Sequence, residues 1–333
     1  MIKISVIGYK NHALKVANIL CEFPTVEIVN IYHPNSEKIQ SLASSSQIKK
    51  TYTSNWKDLT NSHAFFICSP SGTHVNYISK ILDDFSKNKI CPYIYCEKPP
   101  AISRIELDWL QGKFSKLSKT LYFGFNYRFS NIQKQLNKII SSEHLGIPVY
   151  ANFAISYGIA FKNEMRENWR FTDSSVFSKI TGNLGIHYVD MCIGLFGSIK
   201  KTSIIESNIA KNLQPDTALI NLTFESGMIC NIFLSYATVF SQTADVFFSD
   251  GLFRENNSII DIFHPRDTFN LDNEFCQPEP YRINNNLESL NSESDLHQSI
   301  CYFLSKVESG KFFPEKKYVQ SLSATEIFLN IGL

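Results

Sequence analysis

Apolar positions in the first third of the chain follow two rhythms. Predominantly apolar runs at Ile2–Ile7, Val26–Tyr32, Ala64–Cys68, Ile90–Cys96 and Leu121–Tyr127 have the length and β-branched or aromatic content of buried strands. Between them the apolar residues fall at helical spacing. Ala13, Leu14, Ala17, Ile19, Leu20 and Phe23 predict a helix over Asn11–Phe23. Further helices are predicted from Asn35 or Ser36 toward Ala43, from Thr73 toward Leu82, and from a Ser103 cap to Leu117. Strands alternating with helices of this length imply βαβ units and a parallel sheet.

The rhythm changes after Arg128. One more helix is expected over Ile132–Ile140, and Val149–Tyr157 alternates as a strand does. Several strands follow between Thr202 and Ile262, separated by short turns such as Ser226-Gly227 and Asp250-Gly251. Turns that short imply antiparallel pairing. A single helix, Gly182–Phe196, interrupts the strands. Residues 264–290 are rich in Pro, Asn, Asp and Glu and read as a long loop; helices are expected again over Ser292–Glu308 and Val319–Leu329.

Composition narrows the class. A length of 333 residues suggests two domains. With 44% hydrophobic and 19% charged residues the chain is of globular type. A formal net charge of +1 gives no support to a nucleic-acid or membrane partner. None of the eight cysteines forms Cys-x-x-Cys, and four lie inside apolar runs. Buried reduced thiols are expected, with no metal site and no disulfide framework. No stretch approaches the roughly 20 apolar residues of a membrane span. A cytoplasmic protein is the expectation.

Candidate chemistry gathers at strand ends. Cys96-Glu97-Lys98-Pro99-Pro100 stops the fourth predicted strand abruptly, because proline has no N–H to give to a sheet. Lys98 is thereby held at a carboxyl-terminal strand end, where open α/β sheets bind ligands. There it could serve as proton donor or acceptor; alone, it also reads as a surface lysine. Gly8-Tyr9-Lys10-Asn11-His12-Ala13 stands between the first strand and first helix, where a dinucleotide site carries Gly-x-Gly-x-x-Gly/Ala. Lys10 occupies the middle glycine position, so an ordinary strand-to-helix turn stays open as a reading. The second strand ends Tyr32-His33-Pro34-Asn35-Ser36, with no acid before Glu37. That leaves NAD and NADP both admissible, with His33, Asn35 and Ser36 as phosphate contacts. Ser69-Pro70-Ser71-Gly72-Thr73-His74 ends the third strand. A cofactor ring could lie against Pro70 and near His74, unless His74 is a solvent-facing helix start. Asn183, His187 and Asp190 fall at i, i+4 and i+7, on one helix face. They read either as a ligand-facing polar stripe or, for His187 and Asp190, as a buried pair that orients the helix.

Taken with Gly124-Phe125-Asn126-Tyr127-Arg128-Phe129, Trp169-Arg170 and Gly185-Ile186-His187-Tyr188-Val189-Asp190, these motifs resemble the Gfo/Idh/MocA oxidoreductases. The resemblance implies an α/β protein: an N-terminal Rossmann domain with a doubly wound parallel sheet over 1–121, and a C-terminal α/β domain over 122–333. That second domain would hold a large, open, mainly antiparallel sheet and serve substrate binding and oligomerisation, with its last helices packing back on the first. It implies NAD or NADP as cofactor, a sugar-type small-molecule substrate, and a homodimer or homotetramer. By position Lys98 and His187 resemble the acid–base pair, with Asn183 beside them where polyol dehydrogenases carry aspartate. Gly8, Tyr9, Lys10, Asn11, His12, His33, Ser69, Pro70, His74, Glu97 and Lys98 are expected around the cofactor. Asn126, Tyr127, Arg128, Trp169, Arg170 and Asp190 are expected around the substrate. Lys10 and Asn183 depart from the family pattern and favour the alternative, a ligand-binding or regulatory protein on the same fold.

Overall fold

The computed structural model describes residues 1–45, 51–86, 92–163, 175–264, 269–277, 280–283 and 292–330. The chain divides into two compact units, Met1–Phe125 with Leu296–Leu329, and Asn126–Asp295.

The first unit is built on six strands: β1 (Ile2–Ile7), β2 (Val26–Tyr32), β3 (Thr51–Thr53), β4 (Ala64–Ile67), β5 (Tyr93–Cys96) and β6 (Leu121–Phe123). They lie in the order β3-β2-β1-β4-β5-β6, and every pair is parallel. Strand order reverses at β1, so the carboxyl end of β1 is the switch point where ligands bind in sheets of this kind. Helices α1 (Asn11–Cys21), α2 (Ser36–Ser45), α3 (His74–Ser86), α4 (Arg104–Gly112) and α5 (Phe114–Leu117) connect the strands. Ile4, Val6 and all four residues of β4 are essentially inaccessible, and β4 accordingly carries no polar residue.

Three local expectations change. Strand β6 stops at Phe123, and Asn126–Phe129 turns as a short 3₁₀ segment. Just past the strand end glycine suits position 124, because a Cβ there would meet the Tyr95 hydroxyl at 2.7 Å. The helix expected from Ser103 to Leu117 breaks at Lys113. The edge strand β3 has too few residues to show a period, and its pattern went unread.

The later helices of this unit close on the sheet. The chain from Leu296 lies in α8 (Ser292–Ser309) and α9 (Glu315–Leu329), numbered after α6 and α7 below. Phe303 packs against Phe66 and Tyr95, with ring centroids 5.0 and 5.6 Å away. Tyr318 donates to the Leu110 carbonyl at 2.8 Å.

The second unit carries α6 (Asn131–Ser142), α7 (Ile186–Phe196) and eight strands: β7 (Pro148–Ser156), β8 (Ile199–Ser207), β9 (Thr217–Phe224), β10 (Ile229–Ser235), β11 (Ser241–Phe248), β12 (Leu252–Asn256), β13 (Ile259–Phe263) and β14 (Pro280–Ile283). Their order is β14-β13-β12-β11-β7-β10-β9-β8. All pairs are antiparallel except β7 with β10. Strand β14 lies inside the span expected to be loop. Strand β9 alternates buried and half-buried along its length, the mark of a sheet with one covered face. Among the described residues no helix is long and apolar enough to cross a membrane.

Candidate functional site

At the switch point, Gly8 has φ +134°, and a Cβ there would lie 2.8 Å from the Cys68 carbonyl oxygen. Only glycine lets β1 turn into α1 against β4. Lys10 is the N-cap residue of α1 and makes no side-chain cap hydrogen bond. The first backbone N–H groups of a helix lack intrahelical partners, and its dipole favours an anion there. Lys10 is exposed, so its charge adds to that end of the helix without filling the backbone cradle. This arrangement fits a dinucleotide pyrophosphate.

His12, one turn into α1, places Nε2 2.8 Å from Oε1 of Glu97. The Glu97 carboxylate raises the His12 pKa against the opposing pull of burial. Burial alone would push Glu97 up; His12, Lys98 and His74 outweigh it and hold the carboxyl below its ordinary range. Glu97 thus fastens α1 to the end of β5. Lys98 follows, half-buried, and the Lys98–Pro99 peptide is cis.

His74 does not face solvent. It is 1% exposed, with Nδ1 2.9 Å from the Pro99 carbonyl and Nε2 3.0 Å from the Ser69 carbonyl. Burial pushes its pKa down, although the two carbonyls favour the imidazolium. Its ring ties the loop after β4 to the loop after β5. In that loop Thr73 donates to the Ser69 hydroxyl and the Pro70 carbonyl, each at 2.7 Å. Beyond β2, Asn35 is committed as a helix cap, accepting from the Lys38 N–H at 2.9 Å. His33 packs edge-on against Tyr9, centroids 4.2 Å apart. The Lys38 ammonium stands 5.9 Å from the Tyr9 ring centre. Sequence motifs did not single out Lys38, a cation near the strand end that ribose and its phosphate occupy in such folds; its place in the first turn of α2 was the only signal.

The second unit presents its own surface. Thr181–Gly185 forms a π-type turn that leads into α7. A Cβ on Gly182 would meet the Val176 carbonyl oxygen, so this turn lies hard against the backbone before it. From 181 to 190, Asn183 and His187 alone are not buried. Tyr127 stacks on His187 with centroids 4.7 Å apart and planes 24° apart. Asn183 Nδ2 donates to the Tyr236 hydroxyl at 3.2 Å. Tyr236, just past β10, carried no motif that sequence reasoning could use.

Arg128 and Asp190, expected around the substrate, are paired with each other. Arg128 Nε and Nη2 donate to Asp190 at 2.8 and 2.5 Å, with side chains 3% and 1% exposed. This bidentate pair locks the 3₁₀ segment to α7, so the polar stripe ends at His187. Asn126 is half-buried beside Tyr127. Trp169 and Arg170 lie outside the described residues.

Residues 2–125 match the model of an oxidoreductase family with an NAD-binding Rossmann fold. Residues 133–254 match the GFO/IDH/MocA C-terminal domain. An oxidoreductase of Bacillus subtilis is 29% identical over 256 residues, covering 74% of this chain and 70% of its own. A glucose-6-phosphate 3-dehydrogenase of the same organism is 26% identical over 215 residues, 64% of this chain and 59% of its own. Among solved structures, a levoglucosan dehydrogenase in complex with NADH superimposes with TM-score 0.79 at 14% identity, covering 99% and 96% of the two chains. A myo-inositol dehydrogenase from Corynebacterium glutamicum gives TM-score 0.71 at 18% identity, covering 99% and 96%.

Proposed function

Because this chain belongs to the Gfo/Idh/MocA oxidoreductase family, with its NAD-binding Rossmann domain, we propose that it is a dehydrogenase for a hydroxyl or keto carbon of a sugar, polyol or nucleotide sugar. Its relatives named glucose-6-phosphate 3-dehydrogenase and myo-inositol 2-dehydrogenase support that substrate class. The bound nicotinamide supplies the two-electron acceptor or donor. Gly8, the uncapped start of α1 and Lys10 hold the pyrophosphate; Pro70 and the Glu97-Lys98 backbone border the same sheet edge.

The observation that carries the reading is the pair of accessible polar groups on α7 and the turn before it. His187 is fixed in orientation by the Tyr127 ring, and Asn183 is oriented by Tyr236. An amide cannot take up a proton at neutral pH. Asn183 therefore orients a substrate oxygen, and proton exchange falls to His187 and Lys98. In oxidation one of these two accepts the single hydroxyl proton, with the other hydrogen-bonding the same oxygen; in reduction the proton is returned. The open face of the second sheet exposes Ile205, Ile229 and Phe247, which suits assembly of copies through that face.

The test is turnover of a polyol and nucleotide-sugar panel with NAD and NADP, together with Lys98→Ala. Loss of a general acid–base group costs about 10²–10⁴-fold in rate. We expect kcat to fall within that range while the Tm rise given by NAD is unchanged. Equal activity in Lys98→Ala removes Lys98 from the mechanism. A Tm rise with NAD but no turnover across the panel favours the regulatory alternative.

A further inference from the structure

A cavity of about 130 Å³ lies wholly within the second unit. Its walls come from the 3₁₀ segment and α6, α7, β11, the β12–β13 hairpin and the start of α8. Two acids line it, Glu255 and Asp295. Glu255 is 3% exposed; its Oε1 accepts the Ser258 N–H, and its Oε2 is buried with no hydrogen-bond partner. Ser258 is 6% exposed, and its hydroxyl is likewise buried without a partner. Asn257 and Ser258 both have positive φ, 46° and 77°, so the hairpin turn spends backbone strain to aim the Ser258 N–H at Glu255. A buried carboxyl oxygen and hydroxyl left unpaired each carry a desolvation cost. Both residues line the cavity, which has room for a few heavy atoms.

We propose that this cavity is a subsite for the cationic amine arm of a small-molecule substrate, with Glu255 as counter-ion, Asp295 as a second carboxylate, and Tyr127, Tyr157, Tyr188 and Phe240 as the aromatic wall. The assignment rests on the dehydrogenase reading, because Tyr127 is both a wall of this cavity and the ring stacked on His187. A hydroxyl could satisfy Glu255 Oε2. Two carboxyls and four aromatic faces in one cavity answer a cation better, since ring faces attract positive charge and desolvation strengthens the attraction. Burial raises both Glu255 and Asp295 to about 7, opposed at Glu255 by the Ser258 N–H and at Asp295 by Lys134 on α6. The phenols of Tyr127 and Tyr188 are themselves pushed up by burial and stay neutral; Gln242 on β11 is neutral. An arriving ammonium draws the carboxyl protons off, so its binding strengthens as pH rises through about 7.

The test uses the full chain and a probe that fits the cavity whatever the sugar. Ethanolamine is compared with ethylene glycol by titration calorimetry at pH 7.5 and pH 5.5, in two buffers of different ionisation heat. We expect ethanolamine to bind at least tenfold more tightly than the glycol at pH 7.5, to release protons, and to lose most of that advantage at pH 5.5. Glu255→Gln should abolish the preference, and Asp295→Asn, at a half-exposed position, should reduce it. The NAD-induced Tm rise, read in parallel, shows that each variant is folded. Equal affinity for amine and glycol, or a preference that survives Glu255→Gln, overturns the subsite. Loss of NAD binding and turnover in the unmutated chain would instead overturn the dehydrogenase reading, so the two failures are separable.

Discussion

Asp190→Asn separates a structural carboxylate from a substrate-binding one. Asp190 accepts two hydrogen bonds from Arg128, and both side chains are almost fully withdrawn from water. The substitution keeps the shape and deletes the charge, leaving a guanidinium inside the second unit without its counter-ion. Breaking a buried ion pair from one side costs about 3–5 kcal/mol. For a unit of this size, where 1 kcal/mol moves Tm by about 2–4 °C, the melting point should fall by roughly 6–20 °C. The assay is thermal unfolding at pH 7 followed by circular dichroism, with kcat and KM measured well below the new Tm. The double variant Arg128→Met with Asp190→Leu removes both charges and should recover most of the loss, because apolar replacement of a buried pair is often neutral. A fall in kcat with Tm unchanged would refute the reasoning and return Asp190 to the substrate site.

Two further outcomes follow from the nucleotide end. Gly8→Ala puts a methyl 2.8 Å from the Cys68 carbonyl at φ +134°; it should destabilise the first unit by about 1–3 kcal/mol and erase the NAD-induced Tm rise, and an unchanged rise would show that β1 can shift to admit it. The His12–Glu97 pair should make stability depend on pH at both ends. The lowered Glu97 pKa means a contribution present at neutral pH and lost as pH falls through its folded value; the raised His12 pKa means one lost as pH rises through its own. Glu97→Gln should flatten both flanks of a Tm–pH profile, and a profile that keeps its shape would put the titrating groups elsewhere.

Much was legible from local pattern, and each success has a local cause. The runs Ile2–Ile7 and Val26–Tyr32 were bounded correctly because apolar residues dominate both, and their ends are marked by Gly8 and by His33-Pro34. Glu97-Lys98-Pro99 announced a strand end because proline cannot extend a ladder. Asn183 and His187 showed the accessible stripe through spacing alone. What the chain order could not reveal are pairings across long separations. Arg128 meets Asp190 from 62 residues away, and Asn183 meets Tyr236 from 53. His74 does start α3, but the Pro99 carbonyl, 25 residues on, takes it out of solvent. Glu255 sat in an unremarked hairpin, and only burial beside Ser258, with tyrosines from other elements around it, gave it chemistry. Spacing along one element is a property of the sequence. Which buried polar atoms find partners, and which are left without one, is decided when separate elements pack.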